Sequence, residues 1–336
     1  MHPAILWESE KEGTVRCLLC HQRCVIKKGE TGFCGVRLNS EGKLYTLVYG
    51  QLIAENVDPI EKKPFYHFFP GSLAYSIATV GCNFACVFCQ NAEISQAPRE
   101  GRFLAGASPV NPEKIVQAAV NCGCHSISFT YTEPTVFFEY ALDVARLARE
   151  KGIKNNFVTN GYMSQAALEK LAGMLDAANV DLKGDDAFYR RFCHARQAPV
   201  VENIKLMKQL GVWVEVTTLI VPGENDDEKI IGSLAEVLVN INPEIPWHLS
   251  RFFPMYKMGN KMPTPVEKIR AARQLGLKSG LSYVYTGNIP GDEGENTFCP
   301  RCHQLLIRRR GYSTSVVGLS GNRCAACGFL VPGCFK

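Results

Sequence analysis

Eleven of the fifteen cysteines lie in three groups whose spacing could bind metal. The N-terminal cysteine group is Cys17, Cys20, Cys24 and Cys34, the middle cysteine group is Cys82, Cys86 and Cys89, and the C-terminal cysteine group is Cys299, Cys302, Cys324 and Cys327. Residues 1–15 contain no apolar run of the kind that a secretory signal requires. We therefore expect a cytoplasmic protein whose thiols stay reduced and ligate metal instead of forming disulfides.

The middle cysteine group places three thiols on one short loop, with the spacing Cys-x3-Cys-x2-Cys. A structural zinc site normally takes four protein ligands, whereas three thiolates can hold three irons of a [4Fe–4S] cluster and leave the fourth iron open. Gly81, just before the loop, would allow a sharp exit from the preceding apolar run. The spacing therefore predicts a [4Fe–4S] cluster. The alternatives are a zinc site completed by a distant histidine, or three unrelated buried thiols.

The C-terminal cysteine group has the spacing of a zinc ribbon, in which two Cys-x2-Cys pairs are separated by 21 residues. Residues 305–309 and 312–317 are predicted to form a hairpin that turns near Gly311. A zinc ion there could serve the docking of a substrate or partner, but more often it holds together a tail too small to fold alone. Residues 308–310, all arginine, could contact nucleic acid, although such runs usually form a solvated face.

The N-terminal cysteine group is predicted to bind a second metal through all four thiols. Zinc is the first interpretation and another iron–sulfur cluster is the second, because ferredoxin-type runs are more tightly spaced and usually place a proline after the last cysteine. In this chain Gly35 follows Cys34. Three cysteines outside the groups are interpreted as buried packing residues, namely Cys122, Cys124 and Cys193.

The composition is that of a folded globular protein with a large core. Of the 336 residues, 46% are hydrophobic and 21% are charged, and the formal net charge is +5. These values exclude wholesale disorder, and the small positive charge is only a weak indication of an anionic partner. The longest uncharged stretch, residues 67–92, contains Pro70, Gly71 and Gly81. It is therefore interpreted as a strand and a loop, not as a membrane span.

Strand-like and helix-like segments alternate between about residues 74 and 286. Seven apolar runs have the length of strands: 74–80, 126–130, 153–158, 177–182, 212–221, 247–252 and 281–285. Helices are predicted after Pro134, at 164–174 with Ser164 as N-cap, at 227–240 and at 265–275. Repeated βα units predict a parallel sheet, and the units are too few for a complete eight-stranded barrel.

Polar residues follow the predicted strands at the same end of each unit, which favours one shared cavity over a doubly wound open sheet. The predicted fold class is α/β, with a partial (βα)6-type parallel barrel between a Cys-rich N-terminal segment and a C-terminal zinc ribbon. The predicted boundaries are 1–70 for the N-terminal metal-binding segment, 71–290 for the barrel and 291–336 for the zinc-ribbon-like module.

With Phe88 before its third cysteine, the middle cysteine group resembles that of the radical S-adenosylmethionine (radical SAM) superfamily. The resemblance covers most of the chain and points to the branch labelled pyruvate formate-lyase activating enzyme-like. Within that branch the chain is most similar to the radical enzyme of the AmmeMemoRadiSam system, through blocks at 130–135, 213–219, 248–252 and 283–288. This chain has Tyr131 and Thr132 where relatives have two glycines.

The resemblance implies a set of cofactors and site residues. The middle cysteine group would ligate the [4Fe–4S] cluster, and the amino and carboxylate groups of S-adenosylmethionine would bind its open iron. Glu133 would receive the ammonium group of that cofactor, and Lys183 could pair with its carboxylate. Three further site residues are implied, namely Phe88, Asn160 and Asp181. Of these, Asp181 is a catalytic candidate together with Lys183. Asp181 could equally be a structural acid at the end of its strand.

The implied activity is reductive cleavage of S-adenosylmethionine to a 5′-deoxyadenosyl radical, which abstracts hydrogen from a substrate. The substrate is predicted to be a macromolecule, either a glycyl-radical protein or another polypeptide, with RNA as a further option because of the zinc ribbon. Two alternatives stay open, a small metabolite as the substrate and a catalytically inactive zinc-ribbon binding protein. The expected partner is an external one-electron reductant of the flavodoxin or ferredoxin type, with no membrane partner.

Overall fold

The computed structural model describes residues 1–102 and 108–335, and its centre is a sheet of eight strands. From edge to edge the strands are Leu52–Pro59, Leu73–Thr79, Ser126–Phe129, Lys154–Thr159, Ala177–Asp181, Trp213–Ile220, Trp247–Arg251 and Val284–Gly287. All strands from Leu73–Thr79 onward are parallel and follow chain order. The predicted α/β fold with a parallel partial barrel is confirmed, and every predicted strand is present with modest shifts at its ends.

The eighth strand, Leu52–Pro59, pairs in antiparallel fashion with Leu73–Thr79 at the edge of the sheet. It lies before the predicted boundary at residue 70, so the sheet takes in part of the segment that was assigned to the N-terminal region. Its middle residues Glu55 and Asn56 are exposed. An edge strand that faces solvent needs no apolar run, and this explains why sequence periodicity did not identify it. The three predicted domain boundaries stay a prediction.

Within the described residues, six helices of seven or more residues cover the sheet: Pro112–Asn121, Phe138–Glu150, Gln165–Leu171, Gln197–Gln209, Glu228–Ile241 and Val266–Lys278. Helix Phe138–Glu150 buries Ala141, Val144 and Ala148 at helical spacing. Ser164 is the N-cap of helix Gln165–Leu171, as predicted, because its Oγ accepts a hydrogen bond from the backbone of Ala167. No helix of the described part of the chain is long and apolar enough to cross a membrane.

The N-terminal segment is built from two small antiparallel sheets. One contains His2–Pro3, Arg37–Ser40 and Lys43–Thr46, and the other contains Trp7–Ser9, Val15–Cys17 and Val25–Ile26. A buried ion pair joins this segment to the barrel, since Arg37 Nη1 lies 2.9 Å from a carboxylate oxygen of Glu139. Removing one member of such a pair would leave a buried charge unpaired and cost several kcal/mol, about 3–5.

The C-terminal module contains a three-stranded sheet and a two-stranded sheet. The three-stranded sheet contains Thr297–Phe298, Leu305–Arg310 and Ser313–Val316. The two-stranded sheet contains Leu319–Ser320 and Arg323–Cys324. The predicted hairpin is therefore present. Arg309 does not belong to a solvated face, because its guanidinium is buried 4.0 Å from the ring centre of Tyr66 and donates to the Tyr66 carbonyl at 2.7 Å. Arg309 thus fastens the module to the barrel, while Arg308 and Arg310 stay exposed.

A buried polar network fills the end of the barrel opposite the middle cysteine group. The Glu215 carboxylate accepts hydrogen bonds from the backbone N–H groups of Tyr66 and His67, and it lies 2.7 Å from His248 Nε2. The His67 ring in turn contacts the Tyr285 hydroxyl at 2.6 Å. Burial alone would raise the pKa of Glu215, but His248 and the other donors lower it. This carboxylate is therefore ionised and holds the 60–68 segment inside the barrel.

His67 should make stability depend on pH. Burial lowers the pKa of His67 to about 4 from the ordinary 6.5. Between those values the unfolded chain binds a proton that the native protein does not, so the free energy of unfolding rises with pH in this window and levels off above it. The variant His67→Gln removes this proton difference. Near pH 5 it should therefore reduce the slope of the free energy of unfolding against pH by up to roughly 1.4 kcal/mol per pH unit, the value for one proton.

Urea unfolding curves recorded at several pH values between about 4.5 and 7 measure this slope. Glutamine keeps an amide that can hydrogen-bond to the Tyr285 hydroxyl, which lies 2.6 Å from His67 Nε2. The unmodified protein, measured at the same pH values, is the reference for this slope. Identical slopes for His67→Gln and the unmodified protein would contradict the assignment of a neutral, buried His67.

Candidate active site and metal centres

The loop that carries the middle cysteine group follows strand Leu73–Thr79 at the carboxyl end of the parallel strands. Gly81 begins this exit with a φ of +99°, and a Cβ on it would come within 2.9 Å of Val36 Cγ1. Glycine is therefore required both by the backbone conformation and by the close approach of the N-terminal segment. Further along, the Ala85 N–H donates to the Cys193 carbonyl at 3.0 Å. The loop is held by the N-terminal segment on one side and by the barrel on the other.

Arg99 is a second anchor of this loop. Its Nη2 donates to the Cys82 carbonyl at 2.9 Å, and its Nε donates to the Phe33 carbonyl at 3.0 Å. The guanidinium also lies 4.1 Å from the centre of the Phe33 ring. Arg99 could not be predicted from the sequence, because an arginine outside a motif carries no local signal that distinguishes it from a surface residue.

Two sulfurs of the middle cysteine group are contacted by polar groups. Cys82 Sγ accepts from the Phe84 N–H at 3.3 Å and lies 3.8 Å from Asn160 Nδ2. Cys89 Sγ lies 3.2 Å from Ser95 Oγ. Hydrogen bonds to ligating sulfur are a feature of protein-bound iron–sulfur clusters and tune their potentials. The loop therefore offers sulfurs already supplied with such donors.

The spacing of these sulfurs favours a cluster over a single ion. Zinc at about 2.3 Å from each thiolate would draw the sulfurs to roughly 3.8 Å from one another. Within residues 1–102 and 108–335, the three sulfurs of the middle cysteine group do not all lie within 4.8 Å of one another. A cubane spreads its thiolates more widely, because irons stand between them.

Burial opposes ionisation of these thiols. Burial raises the pKa of Cys82 well above its ordinary value, and the Cys193 thiol together with burial does the same for Cys86. The thiolate form therefore depends on a bound cation, so metal binding has to release the protons. Cys124 and Cys193 are buried, in agreement with their interpretation as packing residues, whereas Cys122 is exposed, so that interpretation was wrong for Cys122.

Glu133 and Asn160 connect the middle cysteine group to the next two parallel strands. The buried Glu133 carboxylate accepts hydrogen bonds from Thr135 N–H at 3.0 Å, Thr159 Oγ1 at 2.8 Å and Asn160 N–H at 2.8 Å. Asn160 Nδ2 then approaches Cys82 Sγ. Burial raises the pKa of Glu133, although these donors oppose that effect. The structure thus brings together three of the residues that the sequence predicted.

Lys183 and Asp181 form an ion pair at the same edge of the sheet, with Lys183 Nζ 2.7 Å from Asp181 Oδ2. Lys183 Nζ also lies 5.9 Å from the centre of the Phe88 ring. Burial alone would lower the pKa of Lys183, but Asp181 and Cys86 raise it well above its ordinary value. Lys183 therefore stays cationic, and the side chain of Asp181 keeps 34% of its surface exposed. The pair is available to a bound molecule.

Tyr131 occupies a backbone conformation that glycine normally supplies. Its φ is +61°, in the left-handed region, at a position where the sequences it resembles have glycine. The Tyr131 hydroxyl donates to Asp58, and Lys63 Nζ lies 4.1 Å above the Tyr131 ring while pairing with Asp58 at 2.7 Å. These contacts offset the cost of a non-glycine left-handed residue, which is about 1–2 kcal/mol. The sequence analysis missed Asp58 and Lys63, because both lie far from Tyr131 in the chain.

The C-terminal cysteine group converges fully. Its four sulfurs all lie within 4.8 Å of one another, and both Cys299–Cys327 and Cys302–Cys324 are 3.6 Å apart. These distances fit the tetrahedral coordination of a structural zinc ion by four cysteines. The group belongs to the module that Arg309 fastens to the barrel end opposite the middle cysteine group, so its predicted role as a structural metal site fits the geometry.

The N-terminal cysteine group lines one cavity together with Arg37 and Asn83. Among the described residues, no three of its four sulfurs all lie within 4.8 Å of one another. The structure therefore places all four predicted ligands around one space but does not bring them to the distances of a single bound ion.

Comparison with known proteins agrees with this architecture. The profile of the Radical SAM superfamily matches residues 76–234. An uncharacterized protein of Methanocaldococcus jannaschii is 44% identical over 331 residues, which is 98% of both chains. The pyruvate formate-lyase-activating enzyme of Clostridium pasteurianum is 24% identical over 180 residues, 50% of this chain and 72% of its own. A radical SAM methyltransferase from Sphaerobacter thermophilus superposes with a TM-score of 0.51 at 16% identity, over 68% of this chain and 71% of that chain.

The cysteine loop above the carboxyl ends of a parallel partial barrel, together with these matches, defines the class: the chain is an enzyme of the radical SAM superfamily. Its relatives within that superfamily include pyruvate formate-lyase and glycyl-radical activating enzymes, and its similarity to the M. jannaschii protein extends over nearly the full length. A [4Fe–4S] cluster and S-adenosylmethionine follow from the family as cofactors. The hydrogen-bonding groups around the sulfurs of Cys82 and Cys89 fit that cluster.

Loss of one thiol of the C-terminal cysteine group should remove zinc. The variant Cys302→Ser should bind about one zinc ion per chain less than the unmodified protein, because a structural site needs all four ligands. Mass spectrometry of the bound metals measures this change. Cys122 is also an exposed cysteine and lies outside the three groups, so Cys122→Ser is the matched control. Equal zinc contents in the two variants would contradict the assignment.

Proposed function

We propose that this enzyme binds a [4Fe–4S] cluster at Cys82, Cys86 and Cys89, cleaves S-adenosylmethionine reductively and abstracts a hydrogen atom from a polypeptide substrate. The observation that carries the proposal is that Glu133 and the Lys183–Asp181 pair meet the cysteine loop at one edge of the sheet. When bound, the cluster and its cofactor supply one-electron reduction of a sulfonium and radical chemistry at a C–H bond.

The protein's own residues would bind and orient the cofactor. Glu133 Oε2 accepts only the Asn160 N–H among the described hydrogen bonds, so this oxygen has room for a further donor such as an ammonium group. Lys183 presents a cation for a carboxylate, and Asp181 holds it in place at 2.7 Å. The buried ring of Phe88 lies 5.9 Å from Lys183 Nζ and would help to exclude water beside this pair.

An exposed apolar segment beside the loop supports a polypeptide substrate. The side chains of Phe253, Met255 and Met262 are 39%, 41% and 78% exposed. The Lys257 N–H donates to the Val87 carbonyl at 3.0 Å, which places this segment directly against the cysteine loop. Exposed apolar clusters on folded proteins mark interaction sites. The name of the Clostridium pasteurianum relative also identifies a protein, pyruvate formate-lyase, as what that enzyme activates.

The other interpretations have less support. The buried guanidinium of Arg309 removes the middle of the basic run that would have contacted RNA. The inactive binding protein is set aside, because the chain belongs to a family of enzymes. An external one-electron reductant of the flavodoxin or ferredoxin type completes the proposal. The particular similarity to the AmmeMemoRadiSam enzyme stays a prediction.

Activity should depend on the middle cysteine group. Anaerobically reconstituted protein given dithionite and S-adenosylmethionine should form 5′-deoxyadenosine slowly, and Cys86→Ala should reduce that rate at least about 100-fold, because one cluster ligand is lost. Chromatographic quantification of the nucleoside measures the rate, and Cys122→Ala should retain it. Full activity in Cys86→Ala would refute the proposed function.

The substrate class can be tested with the same assay. Extract of the source organism should stimulate 5′-deoxyadenosine formation, and protease treatment of the extract should abolish the stimulation while ribonuclease treatment and dialysis should not. Stimulation lost on dialysis would indicate a small metabolite, and stimulation lost with ribonuclease would indicate RNA.

Lys183 should contribute to cofactor affinity. Lys183→Met should weaken binding of S-adenosylmethionine by about 10- to 100-fold, the value of a charge-assisted hydrogen bond of roughly 1.5–3 kcal/mol. Isothermal titration with iron-loaded protein measures this. The matched control is Lys154→Met, which removes an exposed lysine from a similar pair with Asp176 at 2.9 Å. Unchanged affinity in Lys183→Met would make the Lys183–Asp181 pair purely structural.

A further inference from the structure

The four sulfurs of the N-terminal cysteine group line a cavity that the proposed reaction does not use. Arg37 and Asn83 also form part of the cavity wall. The cavity lies between the N-terminal segment and the cysteine loop, since Asn83 directly follows Cys82. We refer to it as the N-terminal thiol cavity.

The sulfur geometry separates this cavity from a zinc site. The same chain contains a set of four thiols at zinc distances, the C-terminal cysteine group, in which all sulfurs lie within 4.8 Å of one another. In the described part of the chain, no three sulfurs of the N-terminal cysteine group meet that condition. Four thiolates arranged around an open space suit a polynuclear cluster, whose irons and sulfides occupy the centre.

Two buried nitrogen donors in the cavity wall lack partners. Arg37 is 2% exposed, and its Nη1 and Nη2 are used by Glu139 and by the Ile5 carbonyl, while its Nε has no hydrogen-bond partner. Asn83 is 1% exposed, and its Nδ2 likewise has no partner. An unpaired buried donor costs about 1–3 kcal/mol. Such groups in the wall of a thiol-lined cavity indicate an acceptor inside it.

The orientation of the Asn83 amide is determined by its neighbours. Asn160 Oδ1 accepts from the Tyr162 N–H at 3.1 Å, so Asn160 Nδ2 must be the atom that faces Asn83 at 2.6 Å. The Asn83 atom in that contact is therefore its oxygen, and its Nδ2 points elsewhere. The Phe33 N–H adds a donor that is already engaged, since it lies 3.3 Å from Cys24 Sγ.

We propose that the N-terminal thiol cavity holds a second [4Fe–4S] cluster, ligated by Cys17, Cys20, Cys24 and Cys34. Arg37 Nε and Asn83 Nδ2 donate hydrogen bonds to its sulfur atoms. Hydrogen bonds to sulfur are a feature of protein-bound iron–sulfur clusters. With all four irons ligated by protein, this cluster has no open coordination position for a substrate. The side chains of Asn83 and Asn160 lie between it and the first centre, because Asn160 contacts both Asn83 and Cys82.

The test uses the full chain with the first centre removed. In the triple variant Cys82→Ala, Cys86→Ala, Cys89→Ala, anaerobic reconstitution with iron and sulfide should still give about four irons and four sulfides per chain, against about eight of each in the unmodified protein. Metal analysis and Mössbauer spectroscopy measure both. A triple variant that holds less than about one iron per chain and carries a second zinc ion would overturn the proposal.

A complementary variant covers the case in which the triple variant does not fold. Cys24 is partly exposed, and Cys24→Ser in the otherwise unmodified chain should lower the iron content from about eight to about four. Retention of zinc at the C-terminal cysteine group, with an unchanged circular dichroism spectrum, confirms folding. A folded Cys24→Ser protein with full iron content would refute the second cluster. These measurements count metal, so they are independent of whether S-adenosylmethionine is cleaved.

Discussion

The contact between the cysteine loop and the N-terminal segment is the constraint on which the site depends. A Cβ on Gly81 would come within 2.9 Å of Val36 Cγ1 and 3.2 Å of the Cys34 carbonyl oxygen, so a side chain at Gly81 would disturb this contact. Across the same boundary, Arg99 joins the carbonyls of Cys82 and Phe33. Because protein interiors are close-packed, displacement of either partner would move the ligating sulfurs. The N-terminal segment is therefore a structural part of the active site.

Features set by short stretches of chain could be predicted from the sequence. The three cysteine groups consist of residues close together in sequence, and the carboxyl ends of parallel strands meet at one edge, which placed Glu133 and Lys183 near the cysteine loop. Contacts between distant residues could not be predicted. Arg37 and Glu139 pair although 102 positions separate them, and Arg309 is buried against Tyr66 although its neighbours are exposed. No local pattern encodes such partners.

The two ends of the barrel have different chemistry. At the carboxyl end, Lys183 and Asp181 are partly exposed and accessible to ligands. At the opposite end, the Glu215 carboxylate accepts hydrogen bonds from the backbone of Tyr66 and His67, which belong to the separate 60–68 segment. A buried, hydrogen-bonded carboxylate resists displacement, because removal of its partners leaves the charge uncompensated. The 60–68 segment is therefore held firmly inside this end of the barrel.

The long separation between Arg37 and Glu139 has a consequence for biosynthesis. Chains leave the ribosome from the N-terminus, and domains complete their packing only when all their parts have emerged. The isolated bridge between Cys20 and Met163 extends this dependence to more than 140 residues. The earliest thiols to be synthesised therefore remain without their docking surface until nearly half of the polypeptide has been translated.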